Sequence, residues 1–134
     1  TTGLLSACAA VTPAGMPANY GIYGLTNIKI FSIGSSTYAY MALASQGVVK
    51  CSVDATTGAL SSCAASNGGI GNGVWYTNSI AFSNLGGATT YAYVSDINLS
   101  AIYVCTVNST SGDLTSCATT TASGLTQPLG LSVF

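Results

Sequence analysis

Three versions of one nine-residue phrase run through this chain. Thr56-Thr57-Gly58-Ala59-Leu60-Ser61-Ser62-Cys63-Ala64 returns 54 residues later as Thr110-Ser111-Gly112-Asp113-Leu114-Thr115-Ser116-Cys117-Ala118, and stands 55 residues earlier as Thr1-Thr2-Gly3-Leu4-Leu5-Ser6-Ala7-Cys8-Ala9. Other landmarks keep the period: Thr37-Tyr38-Ala39-Tyr40 with Thr90-Tyr91-Ala92-Tyr93 at 53, and Cys51 with Cys105 at 54. Ile30-Phe31-Ser32, Ala81-Phe82-Ser83 and Leu131-Ser132-Val133 occupy a third equivalent place. A unit of this length is one supersecondary motif that cannot bury its apolar face alone and must stack on its neighbours.

Within a unit the apolar segments are short, rich in β-branched and aromatic residues, and separated by Gly, Ser, Asn and Thr clusters, the pattern of strands joined by turns. Strands are expected at 28–32, 37–43, 48–53 and 60–64, and again at 79–83, 90–95, 101–107 and 114–118. Each unit therefore reads as a four-stranded antiparallel meander, with a further strand at each end, over 4–9 and 129–134, about ten in all. No stretch sustains a 3.6-residue period, so almost no helix is expected. At 49 % apolar residues the chain can bury a core, which excludes disorder from low hydrophobicity. One domain is expected: a partial repeat over 1–27, repeats over 28–78 and 79–128, and the start of another over 129–134.

Tyr91-Ala92-Tyr93-Val94-Ser95-Asp96, then Ile102-Tyr103-Val104-Cys105-Thr106-Val107, Gly112-Asp113-Leu114 and Gln127-Pro128-Leu129-Gly130-Leu131 follow in order. This run resembles a β-propeller blade of the YVTN type, in its secreted variant with two cysteines per blade. The resemblance covers essentially the whole chain, and is weakest over 11–26, where a Pro- and Gly-rich loop replaces the family's short connection. It implies an all-β fold of propeller-like four-stranded units and says little of function. The period of 54 exceeds the roughly 40 to 50 residues of propeller blades. The units are also too few to close a ring of about 4 to 8 blades, so an incomplete ring is expected.

Cys51 and Cys63 lie six residues either side of Thr57, as Cys105 and Cys117 do of Ser111. In an antiparallel hairpin, equal distance from the turn centre sets two residues opposite each other within disulfide reach. The pairs Cys51–Cys63 and Cys105–Cys117 are therefore expected, each closing a loop of about 13 residues, on the order of 3 kcal/mol in the chain-entropy picture. Buried reduced thiols are the alternative; a zinc site fits this spacing poorly in a chain without His. Disulfides persist in oxidising compartments, which points outside the cell or to its surface. A start at Thr1, without Met or a leader, fits a mature form whose secretion signal has been removed. Cys8 lacks the partner that the repeat would place upstream, so it is expected to be an intermolecular link or a free thiol. The repeat phase is expected to start the chain on the last strand of one unit and end it on the first of another, which would leave open edges that invite a second copy. Joining those two strands still omits the two middle strands of a unit. A fragment of a larger propeller is the alternative to self-assembly.

Lys29, Lys50, Asp54, Asp96 and Asp113 are the only charged side chains, and Arg, Glu and His are absent. A net charge of −1 offers no field to steer nucleic acid or an anionic membrane. The longest apolar run, 38–44, is far below the ~20 residues of a spanning helix. Without His or Glu there is no imidazole base, no Ser/His/Asp triad and no His metal site. No enzyme, metal site or cofactor is expected, a lactonase of the kind associated with some propellers included. Asp54 and Asp113 read as turn-forming residues, and Asp96 as the cap of a bend. So little mutual repulsion favours association.

Tyr38, Tyr40, Tyr91 and Tyr93 alternate along the repeated strands, so one of each pair is expected between sheets. Tyr20, Tyr23, Trp75 and Tyr76 sit in Gly-rich linkers, where they suit either a sugar ring or a protein interface. Asn98 and Asn108 head N-glycosylation sequons. The expected function is an extracellular, non-enzymatic structural subunit that assembles with copies of itself into a filament, layer or oligomer. The alternative is a carbohydrate-binding module completed by oligomerisation, taking glycans through Tyr20, Tyr23, Trp75 or Tyr76.

Overall fold

The computed structural model describes residues 13–15, 24–44, 47–70, 76–120 and 124–133. They form β1 (Leu25–Ile33), β2 (Ser36–Leu43), β3 (Gly47–Val53), β4 (Leu60–Ala65), β5 (Thr77–Ser83), β6 (Tyr91–Asp96), β7 (Ala101–Val107) and β8 (Leu114–Thr120). These make two four-stranded sheets, β1-β2-β3-β4 and β5-β6-β7-β8, each an antiparallel meander in chain order. Among the described residues there is no helix and no closed ring of sheets.

Two of the expected strands stand apart. The segment 4–9 lies outside the described residues. Residues 129–133 form no ladder; the Leu131 N–H donates to the Ser79 hydroxyl at 3.2 Å, so a side-chain contact replaces strand pairing there. β1 starts earlier than its apolar pattern suggests because the Thr26 hydroxyl, 3.0 Å from Ala42 O and 2.9 Å from Thr77 O, ties its polar start to both sheets.

The two sheets share a register, with Tyr38–Tyr40 corresponding to Tyr91–Tyr93 and Cys51 to Cys105. The inner strands correct one sequence match. Ile30 pairs with Ala39 and Phe82 with Ala92, so the counterpart of Phe82 is Ile30 and not Phe31. A one-residue slip of this kind moves a side chain to the other face of the sheet.

Both disulfides form, Cys51–Cys63 and Cys105–Cys117, but not by the simple symmetry that the spacing suggests. Ser52 pairs with Ser61 while Lys50 pairs with Ala64, so Cys51 faces a bulge made of Ser62 and Cys63. Ser62 and Ser116, at φ 50° and 49°, hold the same place in the two hairpins. The extra residue shifts β4 by one and brings the second cysteine over the first.

The sheets pack face to face. Tyr40 and Val48 of the first meet Ile80, Val94, Tyr103 and Leu114 of the second in one core. Phe82 is held between Phe31 and Tyr40, at ring-centroid distances of 4.6 Å to each. On its outward face the first sheet buries a second cluster of Ala39, Met41, Leu43, Val49, Cys51 and Cys63.

Candidate functional site

Among the described residues, the contact between the sheets is built around one tyrosine. Tyr40 is fully buried, and its hydroxyl donates to Gly112 O at 2.6 Å. Gly112, at φ +73°, permits this approach because a Cβ there would lie 2.8–2.9 Å from the Tyr38 ring and the Tyr40 hydroxyl. Burial, then the charges of Tyr38 and Asp113, push the Tyr40 hydroxyl well above the ordinary tyrosine range. It therefore remains a neutral donor at any physiological pH.

Lys50 stands opposite Tyr40 on β3. Its Nζ donates to Ser111 O at 2.6 Å and to Asp113 Oδ1 at 2.5 Å, and lies 4.9 Å from the Tyr38 ring centroid. Burial alone would raise the Asp113 carboxyl, but hydrogen bonds from Lys50 and Ser111, with the Lys50 charge, hold it below the usual carboxylate value. Asp113 keeps part of its expected turn role, accepting from the Ser111 hydroxyl at 2.7 Å. Its partner across the sheets was not foreseen. The signal lay in a mismatch between repeats: Val104 occupies the Lys50 place and Ala59 the Asp113 place. With 49 % of the Asp113 side chain exposed, such a pair adds little stability and serves to set how the sheets meet.

The linker completes the contact. The Leu114 N–H donates to the Ser66 hydroxyl at 2.8 Å and the Cys117 N–H to Gly68 O at 2.9 Å. The latter bond recurs one repeat earlier, where the Cys63 N–H donates to Ala14 O at 3.2 Å. Residues 13–15 thus hold β4 as the linker after β4 holds β8.

Tyr91 and Tyr93, the counterparts of Tyr38 and Tyr40, are only partly buried. The expectation that one tyrosine of each pair fills the space between sheets holds for the first sheet alone. Tyr76 is 45 % exposed, bridges to Ala44, and accepts the Ile97 N–H through its carbonyl at 3.2 Å. Cys8, Tyr20, Tyr23 and Trp75 lie outside the described residues, so no cluster of linker aromatics is described. Asn98 and Asn108 are both exposed. Asn108 Oδ1 also accepts the Thr110 and Ser111 N–H groups, each at 2.9 Å. Asp54 plays the same part with Thr56 and Thr57; the Thr57 N–H first, then its hydroxyl and the Thr56 N–H, lower its carboxyl.

Asp96 is fully buried and caps a bend by accepting the Leu99 N–H at 3.0 Å. Its Oδ2 has no hydrogen-bond partner among the described residues. Burial, then the Asp96 charge, raises the Tyr103 hydroxyl. Among the described residues no three His, Cys, Asp or Glu side chains gather into a metal site, and no helix is long and apolar enough to cross a membrane. A cleft of about 370 Å³ between the first β-turn and the β5–β6 loop is lined by Ser32, Gly34, Thr89, Thr90 and Ser109, without a ring or a charge. No family model, curated protein or solved structure matches this chain.

Proposed function

We propose that this protein is an extracellular, non-enzymatic structural subunit that assembles with copies of itself, its repeats arranged as successive propeller-like blades. The observation that carries this reading is the surface. Ile28 and Ile30 are 46 % and 58 % exposed on β1, and Leu85 and Leu129 are each 68 % exposed, on a chain with five charged side chains. Apolar surface with so little charge to repel a neighbour favours association. The two disulfides support an oxidising compartment. A sequence without His, Glu or Arg supports a structural task over acid–base chemistry.

Sedimentation velocity and electron microscopy of the unreduced protein test the reading. Particles that grow with concentration into filaments, layers or closed oligomers are expected; a monomer at every concentration overturns it. A carbohydrate-binding reading rests on a separate observation: a cleft of about 300 Å³ brings Tyr38 and Asp54 together with the hydroxyls of Thr37 and Ser52. On that reading, glycan titration shifts the NMR signals of these residues and leaves association unchanged.

A further inference from the structure

We infer that a hard metal cation binds between the two sheets at the end where β6 turns into β7, held by Asp96 Oδ2, Asn27 Oδ1 and backbone carbonyls around Thr77. The site goes beyond the self-assembly reading and does not depend on it.

Asp96 brings a buried charge without a counter-charge. It is 0 % exposed, and its Oδ1 accepts the Leu99 N–H, which leaves Oδ2 buried and without a partner among the described residues. Of the two lysines, Lys50 is committed to Asp113 and Lys29 is exposed. A carboxylate taken out of water is costly unless a cation or a full set of hydrogen bonds compensates it.

A second orphan oxygen stands at the same end of the sheets. Asn27 Oδ1 is also buried and without a partner among the described residues. By strand alternation Asn27 shares a face with Phe31, and Asp96 with Val94. Phe31 and Val94 pack in the core between the sheets, so both side chains lie on faces turned to that contact. Thr77 links them: it stands opposite Asp96 on β5, and its carbonyl lies 2.9 Å from the hydroxyl of Thr26, the neighbour of Asn27.

Around Thr77, acceptors outnumber donors. Its own hydroxyl, fully buried, lies 2.7 Å from Leu43 O and 2.9 Å from Gly47 O, while the Thr26 hydroxyl lies 3.0 Å from Ala42 O and 2.9 Å from Thr77 O. Each hydroxyl carries one proton, so two protons are shared among four carbonyls. With the two orphan side-chain oxygens, the neighbourhood holds one negative charge and an excess of oxygen lone pairs. A carboxylate, a side-chain amide oxygen and backbone carbonyls are the donor set of a hard cation. Such a site needs neither the His or thiolate ligands of zinc nor a cluster of three acidic side chains, which is absent among the described residues. A cation here ties the sheets at one end as the Lys50–Asp113 pair ties them at the other, since Asp96 precedes β7 and Asp113 follows it.

Sodium and calcium share this oxygen chemistry. One carboxylate balances a single positive charge, which suits sodium; calcium takes the same oxygens and binds more tightly as ligand charge is added.

The test uses the full chain, stripped of metal by a chelator and held at a concentration where sedimentation velocity shows no association, so that the fate of the assembly reading leaves the result untouched. The thermal midpoint is read in choline chloride, sodium chloride and calcium chloride at one ionic strength. A saturable rise of about 5 °C or more is expected in one metal salt at a hundredfold excess over the dissociation constant, and the salt that produces it identifies the ion. Asp96→Asn keeps an acceptor for the Leu99 N–H while removing the charge, and should abolish the rise. Asn27→Asp adds a second charge and should tighten calcium binding by at least about tenfold; it carries the test if Asp96→Asn fails to fold. A midpoint equal in all three salts, a rise that survives Asp96→Asn, or an Asn27→Asp protein with the calcium response of the wild type overturns the inference.

Discussion

Tyr40 and Tyr93 close the same phrase, Thr-Tyr-Ala-Tyr, on the same strand of two sheets that share a register. Tyr40 is sealed between sheets and bonded to Gly112; Tyr93 remains partly open. The two hairpins around them repeat as faithfully, down to a left-handed serine beside the second cysteine of each. The comparison teaches that a repeat copies local conformation, whereas burial depends on what lies opposite. The first sheet has the second opposite its tyrosine face; among the described residues, the second sheet has there only the segment ending at Val133, whose Leu131 N–H meets Ser79.

The largest expected break in the symmetry is at the tyrosines. Tyr40→Ala removes a buried ring and its hydrogen bond and should cost about 3–5 kcal/mol, against about 1 kcal/mol for Tyr93→Ala, read by urea unfolding at a concentration low enough to suppress association. Equal losses would mean that the two tyrosines are equally buried. Next come the cysteines. Replacing either pair by Ala should cost about 2–4 kcal/mol. The Cys51–Cys63 pair should be the dearer, since Cys63 is 5 % exposed and lies in the second core cluster, while Cys117 is only partly buried.

The turn glycines give a smaller contrast. Ala at Gly58 or Gly112 is strained by about 1–2 kcal/mol at positive φ, but only at Gly112 does the new methyl meet Tyr38 and Tyr40. That adds about 1 kcal/mol or more, and thermal unfolding of the two variants reads the difference.

The smallest effect is the pH dependence of the Lys50–Asp113 pair. The folded-state value of Asp113 is lowered, so its contribution is fully present above the unfolded value of about 3.9 and is lost as the pH falls through the folded one. With the side chain half exposed, the contribution stays below about 1 kcal/mol. Asp113→Asn should remove that part of the acid-side slope in urea unfolding measured below about pH 4. Asp54 contributes in the same direction through its turn; its counterpart Asn108 contributes none.

What could be read in advance follows the range of the forces. The eight strands, the meander and the cysteine pairs rest on alternation, turn residues and contacts within one hairpin, and all were legible. The bulge at Ser62 was not, because spacing alone places the turn centre at Thr57 while the register Val53↔Leu60 and Ser52↔Ser61 places it half a residue earlier. The match of Phe31 to Phe82 failed for a similar reason: similar letters one position apart point to opposite faces, and only pairing to β2 and β6 decides. Lys50 and Asp113, 63 residues apart, carried only the faint signal of two departures from the repeat.

By itself, the sequence determined a repeated four-stranded hairpin unit braced by a disulfide, because period-two alternation, turn glycines and cysteines 12 apart act within a single unit. Which of two identical tyrosines would be buried, and which glycine would carry a tyrosine hydroxyl, were decided only by the tertiary structure. Burial is the work of a second surface, and identical strands acquire different energies when only one of them has that surface opposite it.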